Sequence, residues 1–426
     1  MSKENILILG DLNSVLDFLD LEHNNYFLIT DLKISGIPQV IMKNIESFII
    51  DIPDKFDVSC FENNIEVIYD IVSSLIEKHG QISSIVTTHE HTVLSAAMIR
   101  TRFNIPGVKE SEAIFLRNKY KMKERIFDSG IPTPKFTLVD VDKYHEQISQ
   151  FLREHGQIVI KPINQAGSYG VLITKEIVEA TNHTEMLIQN NSEVLIEEYL
   201  EYPIMHFDGV LQENEMKFFS VSKKLGNCYD YVSNSENLCT IIQSDPELVS
   251  KAQDFTRKIL EVFKIDSLVF HLEVFVDNEE FYFLEIAGRY PGGGISKLIK
   301  RAYDFDLVKA SYLFDTQKEI ISVHKNDSVN DLIAMIIIPS PVKEDITIRA
   351  ISGLEQLPNN IIGSMLTGPG EIVTYNPFDA FKKLAEIYIR DTSNEKIEST
   401  VNYINNNVNF SYVLASKERR GKSEQY

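Results

Sequence analysis

Along the first hundred positions, apolar residues fall into short extended runs separated by stretches with helical spacing. Residues 5–9, 26–29, 47–50 and 84–87 read as strands, and 67–79 and 93–102 as helices. Such alternation predicts a parallel sheet covered by helices. Further along, 157–162 and 171–173 read as strands around a loop of small residues, 193–200 as an apolar strand ending in Glu197, Glu198, Tyr199 and Leu200, and 249–263 as a helix. The stretch around which the chain is organised is 268–295. It predicts strands at 268–276 and 281–286, joined by Asp277-Asn278-Glu279-Glu280 as turn chemistry, with Gly292-Gly293-Gly294 at the exit. Beyond it, 331–338, 346–351 and 371–374 are strand-like, and 378–389 and 395–405 are helix or strand segments.

Each strand of the 268–286 hairpin carries one acid in an apolar run, Glu273 and Glu285, twelve positions apart, with Arg289 four residues later. A carboxylate in such a run calls for a cation or a metal. Side chains alternate faces along a strand, so an odd-length loop puts both acids on one face and a two-residue loop puts them on opposite faces. The odd loop is the expectation, because two converging carboxylates make an oxygen site for Mg²⁺. The plainer reading is one exposed acid and one structural ion pair.

The strand ending in Lys161, followed by Gln165-Ala166-Gly167-Ser168-Tyr169-Gly170, has the outline of a phosphate cradle. Glycines let backbone N–H groups approach phosphate oxygens, and lysine adds a point charge. A long-turned hairpin is the alternative. Thr88-His89-Glu90-His91 follows a strand, at the carboxyl end where α/β sheets place ligands. His89 and His91 lack a third ligand and read as loop residues, and Glu90 is the better site candidate. No G-x-G-x-x-G follows Gly10, and no G-x-x-x-x-G-K-[ST] occurs, so neither a dinucleotide fingerprint nor a P-loop is present.

Composition narrows this further. At 426 residues the chain calls for two to four domains. A net charge of -20 argues against a nucleic-acid surface. The three cysteines, Cys60, Cys228 and Cys239, lack metal spacing and fit a reduced, cytoplasmic compartment. No apolar run approaches the ~18 residues of a membrane span, and the amino-terminal stretch reads as a first strand.

Lys119, the strand–loop–strand around Lys161, Glu197-Glu198-Tyr199-Leu200 and the Glu273/Glu285/Arg289 hairpin occur in the order of the ATP-grasp superfamily. The segment Glu285 to Ile295 is similar to its carboxylate–amine ligases, including the L-amino acid ligases that make dipeptides. The resemblance implies an ATP-grasp fold of α/β and α+β class. Its parts would be a parallel-sheet pre-grasp domain at 1–115, lobes at 116–197 and 198–320, a C-terminal subdomain at 321–415 and a disordered tail at 416–426. It implies ATP and Mg²⁺ as cofactors, with Mn²⁺ as the alternative ion. Lys119, Lys161, Gly167, Ser168 and Gly170 would hold the triphosphate, and 197–200 the adenine. Glu273 and Glu285 would bind metal, Arg289 would be catalytic, and Glu90, His271 and Gly292–Gly294 would face substrate. The implied reaction joins a carboxylate to an amine through an acyl phosphate, with small molecules or a carrier-bound acceptor as partners and a homodimer left open. A non-catalytic nucleotide-binding protein and an ATP-dependent carboxylase are the alternatives. Two departures stand out: Ala287 where many members have Asn, and Ile204 where many have an acid.

Overall fold

The computed structural model describes residues 3–31, 37–50, 59–322, 331–375 and 382–415. The tail at 416–426 and positions 378–381 of the segment expected at 378–389 lie outside the described residues.

The amino-terminal strands β1 (Glu4–Leu9), β2 (Asn24–Thr30), β3 (Ile45–Ile49) and β4 (Ser84–Thr87) form a parallel sheet in the order β3-β2-β1-β4. Alternate residues of β1 feed two cores. Leu7 and Leu9 pack with Phe27, Ile29 and the helix Ile65–His79, whereas Ile6 and Ile8 pack with Tyr26 and Leu28 on the other face. A strand covered on both faces must be apolar at successive positions, as the 5–9 run is.

A second, antiparallel sheet contains β5 (Phe136–Leu138), β6 (Ile158–Pro162), β7 (Leu172–Thr174) and β8 (Val194–Glu198), in the order β5-β8-β6-β7. Ile158, Ile160 and Ile196 point to the helices Tyr144–His155 and Ile177–Gln189. The pleat therefore sends Lys161 and Glu197 to the opposite face.

The large sheet has eight strands. They are β9 (Ile204–Gln212), β10 (Glu215–Leu225), β11 (Leu238–Gln243), β12 (Leu268–Asp277), β13 (Glu280–Ala287), β14 (Leu332–Pro339), β16 (Ile361–Leu366) and β18 (Lys383–Asp391), in the order β13-β12-β9-β10-β11-β14-β18-β16. The C-terminal strands thus continue the same sheet, through β11 pairing with β14. A small sheet of β15 (Ile346–Ser352), β17 (Ile372–Val373) and β19 (Asn409–Leu414) packs beside them with the helix Asn394–Asn407. One face of the large sheet buries Phe207, Phe270, Leu272 and Val274 against the helices Lys119–Asp128 and Pro246–Phe263. The other buries Val210 and Val269 under the helices Ile295–Tyr303 and Leu307–Asp315.

The odd-length loop is not what forms between β12 and β13. Asp277 pairs with Glu280 around a two-residue turn, Asn278-Glu279, with φ of 44° and 68°. That turn alone would put Glu273 and Glu285 on opposite faces. A bulge then intervenes, since Val274 pairs with Phe283 while Glu273 pairs with Glu285. The extra residue, Leu284, resets the register by one, and the two acids become direct cross-strand partners on one face.

The helix Leu307–Asp315 fastens the amino-terminal sheet to the rest. Arg100 and Asp315 form a buried ion pair at 2.8 Å. Asp315 also accepts from the Thr87 N–H at 2.9 Å, and the hydroxyls of Tyr26 and Tyr312 meet at 2.8 Å. Glu90, just past β4, is thereby held over the end of β13.

Candidate active site

The helix Lys119–Asp128 begins at Asn118, whose side chain caps it by accepting from the Lys121 N–H at 3.0 Å. Its first turns present Lys119 and Lys123, four apart and so on one face. Lys123 Nζ lies 3.2 Å from Glu197 Oε1, and Lys161 Nζ lies 2.9 Å from the same oxygen. Burial pushes the Lys123 amine down to about 8, against the pull of Glu197 and with Lys161 adding to the depression. Burial would raise Glu197, but the two ammonium groups hold it below the usual carboxylate range. One carboxylate thus serves two cations, which leaves an excess of positive charge on this face.

Glu197 was expected at the adenine; its side chain instead lies between the two lysines. Of the other residues of that segment, Glu198 accepts from the Lys135 N–H at 2.7 Å and pairs with His155 at 3.2 Å. The Tyr199 N–H donates to the Gln157 carbonyl at 3.1 Å, and Leu200 follows just outside β8. Beyond Lys161, the loop is a chain of tight turns. Gly167, Ser168 and Gly170 have φ of 62°, 60° and 69°, and Lys119 Nζ donates to the Gln165 carbonyl. A serine in the left-handed region is a position where local chain geometry is set by the loop rather than by the residue.

Lys119 Nζ stands 3.7 Å from Glu285, whose side chain is 37% exposed. Glu273 is far more engaged: Lys224 Nζ at 2.6 Å and His271 Nε2 at 3.1 Å both contact its Oε1. Burial opposes ionisation of Glu273, and Lys224 and His271 outweigh it, so its carboxyl stays well below its ordinary value. The acids fit a hard divalent cation. They face the same way, both offer oxygen, and among the described residues both polar contacts of Glu273 fall on one of its oxygens.

His271, expected to face substrate, has both ring nitrogens occupied. Nδ1 is 2.6 Å from Asp208 and Nε2 meets Glu273. Burial alone would lower this imidazole, but Asp208 and Glu273 bring it up to about 9. It stands behind the acid pair and leaves no ring nitrogen for a substrate.

Arg289 grips Glu90 with two donors, Nε at 2.9 Å and Nη2, and Arg117 Nη1 reaches the other Glu90 oxygen at 2.8 Å. Burial would raise Glu90, yet Arg289, Arg117 and Lys119 hold its carboxyl at about 2. Arg117 also donates to the Asn164 carbonyl at 2.7 Å, tying this pair to the loop after Lys161. His89 and His91 stack on each other at 5.2 Å, and burial depresses both. The Gly292–Gly294 turn then leads into the helix Ile295–Tyr303. Gly294 has φ of 95°, and a Cβ there would come within 3.0 Å of Met335 Sδ and 3.1 Å of Lys383 Nζ. Lys383 also donates to the Gly293 carbonyl at 3.2 Å, so C-terminal strands brace this turn.

Arg117, Lys123, Lys224 and Asp208 were not among the expected site residues. For Lys123 the i, i+4 spacing from Lys119 was a usable signal. For Arg117 there was none, because Glu90 lies 27 residues away, and for Asp208 nothing in the chain pointed to His271, 63 residues on.

Residues 116–293 match the ATP-grasp domain family. This segment is an ATP-grasp domain. The chain is 26% identical over 247 residues to the L-arginine-specific L-amino acid ligase of Bacillus subtilis, covering 55% of this chain and 58% of that protein. It is 25% identical over 195 residues to dapdiamide A synthase of Enterobacter agglomerans, covering 43% and 45%. The chain therefore matches only about half the length of these curated relatives. The crystal structure of an L-amino acid ligase from Bacillus licheniformis superposes with a TM-score of 0.68 at 15% identity, covering 97% of this chain and 100% of that one. That likeness is one of fold and takes in nearly the whole chain, the parallel amino-terminal sheet included.

Proposed function

We propose that this protein is an ATP-dependent ligase that joins an amino acid carboxylate to an amine through an acyl phosphate, releasing ADP and phosphate. The observation that carries this reading is the convergence of Lys119, Lys161, Glu273, Glu285 and Arg289 at one end of the β12–β13 hairpin. The likeness to an L-amino acid ligase and to dapdiamide A synthase supports the choice of reaction.

In this reading Lys119 and Lys161, with the turns at 167–170, hold the terminal phosphates and offset their charge. Glu273 and Glu285 would hold Mg²⁺, which when bound neutralises charge on the phosphoryl oxygens. A carboxylate oxygen of the substrate attacks the γ-phosphorus, the bond to the ADP oxygen breaks, and ADP leaves. The amine then attacks the acyl carbon. The C–O bond to phosphate breaks, and the nitrogen gives up a proton as the amide forms. Arg289, held in place by Glu90, presents a planar cation to the transferred group and to the oxyanion that follows. The glycine-rich loop after Lys161 excludes water from the acyl phosphate when it closes.

The test is ADP release across pairs of amino acids, with hydroxylamine added in place of the amine. ADP, phosphate and a trapped hydroxamate are the expected products. Stoichiometric AMP and pyrophosphate with a working pair would replace this course with an adenylate. ADP release that required bicarbonate and no amine would move the protein to the carboxylases.

A further inference from the structure

Behind the two acids, the large sheet carries a patch of polar side chains on a face that is otherwise apolar. His206 pairs across strands with Glu273 and with Ser222, and Asp208 with His271 and with Ser220. His206 and Asp208 are both fully buried. Asp208 accepts from His206 Nδ1 at 2.7 Å through one oxygen and from His271 Nδ1 at 2.6 Å through the other. His271 Nε2 then meets Glu273 Oε1 at 3.1 Å. A fully buried carboxylate is costly unless each oxygen is satisfied, and here both oxygens are used to orient imidazoles. Ala287 is the cross-strand partner of His271 on the other side.

The network ends on one atom. His271 and Lys224 both bind Oε1 of Glu273, which fixes the side chain's rotation and makes Oε2 the oxygen that remains for a ligand. We infer that Asp208 and His271 are positioning residues that set the orientation of Glu273 for its metal, with His206 steadying Asp208 from behind. This rests on Glu273 being a metal ligand, as proposed above. Outer partners of this kind are worth about 10- to 100-fold in metal affinity where they have been removed.

His206, Asp208 and His271 also invite the reading that they bind an ion themselves, since their ligand atoms all lie within 4.8 Å of one another. The spacing speaks against it. Nitrogen–oxygen separations of 2.6 and 2.7 Å are those of a shared proton. Two ligands on a tetrahedral ion with bonds of ~2.0 Å stand roughly 3.3 Å apart.

The test uses the full chain with ADP and Mn²⁺ as the probe, read by the loss of the free-ion paramagnetic resonance signal. Asp208→Asn and His271→Gln should weaken Mn²⁺ binding by about 10- to 100-fold, His206→Gln by less, with ADP binding in the absence of metal unchanged. Variants that unfold more easily yet bind Mn²⁺ as the parent does would reduce the network to a structural one and overturn the inference. Glu273→Gln and Glu285→Gln separate the two layers of the argument. If these leave Mn²⁺ binding unchanged, the ligand reading itself fails. If they weaken it while Asp208→Asn and His271→Gln do not, the positioning role alone fails. A measurement that needs no variant is anomalous diffraction from the parent protein with Mn²⁺ and ADP. The ion should sit on Glu273 Oε2 with the His271–Oε1 contact kept. An ion on Oε1, or among His206, Asp208 and His271, would overturn the inference.

Discussion

Two clusters of buried charge, one around Glu197 and one around Glu273, are balanced differently. Beside the four-stranded antiparallel sheet, Lys123 and Lys161 share the single carboxylate of Glu197. On the large sheet, Lys224 and His271 are matched by Glu273 and Asp208. The first cluster has two cations to one anion, and the second two to two. A cluster with spare positive charge attracts a polyanion and gives up little when one arrives. A neutral cluster holds a carboxylate still without competing for the ion it would bind. The proposed reading accordingly puts phosphate at the first cluster and metal at the second.

Glu285 is the more exposed of the two acids and is met by Lys119 at 3.7 Å. Glu285→Gln should lower kcat by roughly 10³-fold or more, with the melting temperature of the parent retained. A variant with unchanged kcat at limiting Mg²⁺ would remove Glu285 from the metal site.

Arg289→Ala comes next. If Arg289 acts, as proposed, on a charge that develops during the reaction, kcat should fall about 10²- to 10³-fold while ATP affinity changes little. Equal losses in kcat and in ATP binding would make it a nucleotide contact instead.

Glu197→Gln tests the charge excess as a matter of stability. It leaves Lys123 and Lys161 buried without a counter-ion, a change that typically costs about 3–5 kcal/mol, to be read from urea unfolding. A shift below 1 kcal/mol would mean that the lysines find other partners and that the cluster is not balanced as described.

The smallest effect sharpens the contrast between the clusters. Lys123 has a pKa of about 8 in the folded protein, below its ordinary 10.5. As pH rises through 8 it loses its proton and the spare positive charge disappears. ATP binding measured calorimetrically should therefore weaken a few-fold between pH 7 and 9, a loss of under ~1.4 kcal/mol. The same group has a stability consequence of opposite sign. The unfolded chain binds this proton more tightly, so between about pH 8 and 10.5 the folded state gains stability as pH rises. In Lys123→Met both trends should flatten. A slope of ATP binding with pH that survives this substitution would place the titrating group elsewhere.

Much of the candidate site's arrangement was legible because its signals are local. The lysine after a strand, the small-residue loop, the acids in apolar runs and the arginine four residues on are all short-range patterns, and each lies where the pattern put it. The acid pair shows how local reasoning can reach the right arrangement by the wrong route. An odd loop was expected. A two-residue turn and a bulge at Leu284 give the same facing, because one inserted residue changes the alternation as one added loop residue would. His271 shows the converse. Its place in sequence beside Glu273 made it a site residue, but only its ring contacts show that it faces inward to Asp208.

Taken by itself, the sequence determined the strands of the amino-terminal sheet, the strand–loop–strand around Lys161 and the hairpin with its two acids, but not the strands Leu238–Gln243, Ile361–Leu366 and Asn409–Leu414. The elements it determined follow from periodicity and turn chemistry, which depend on neighbours a few positions apart. The tertiary structure alone decided which charges meet. Glu90 and Arg289 are 199 residues apart, and Asp208 and His271 are 63 apart. Lys224 and Glu273 are 49 apart. Partners at such separations are chosen by strand order, register and the docking of the amino-terminal sheet, none of which leaves a periodic trace in the chain. The physical reason is that an apolar residue needs only to be buried, which a pattern can specify. A buried charge needs one particular counter-charge at about 3 Å, and only the folded arrangement can bring it there.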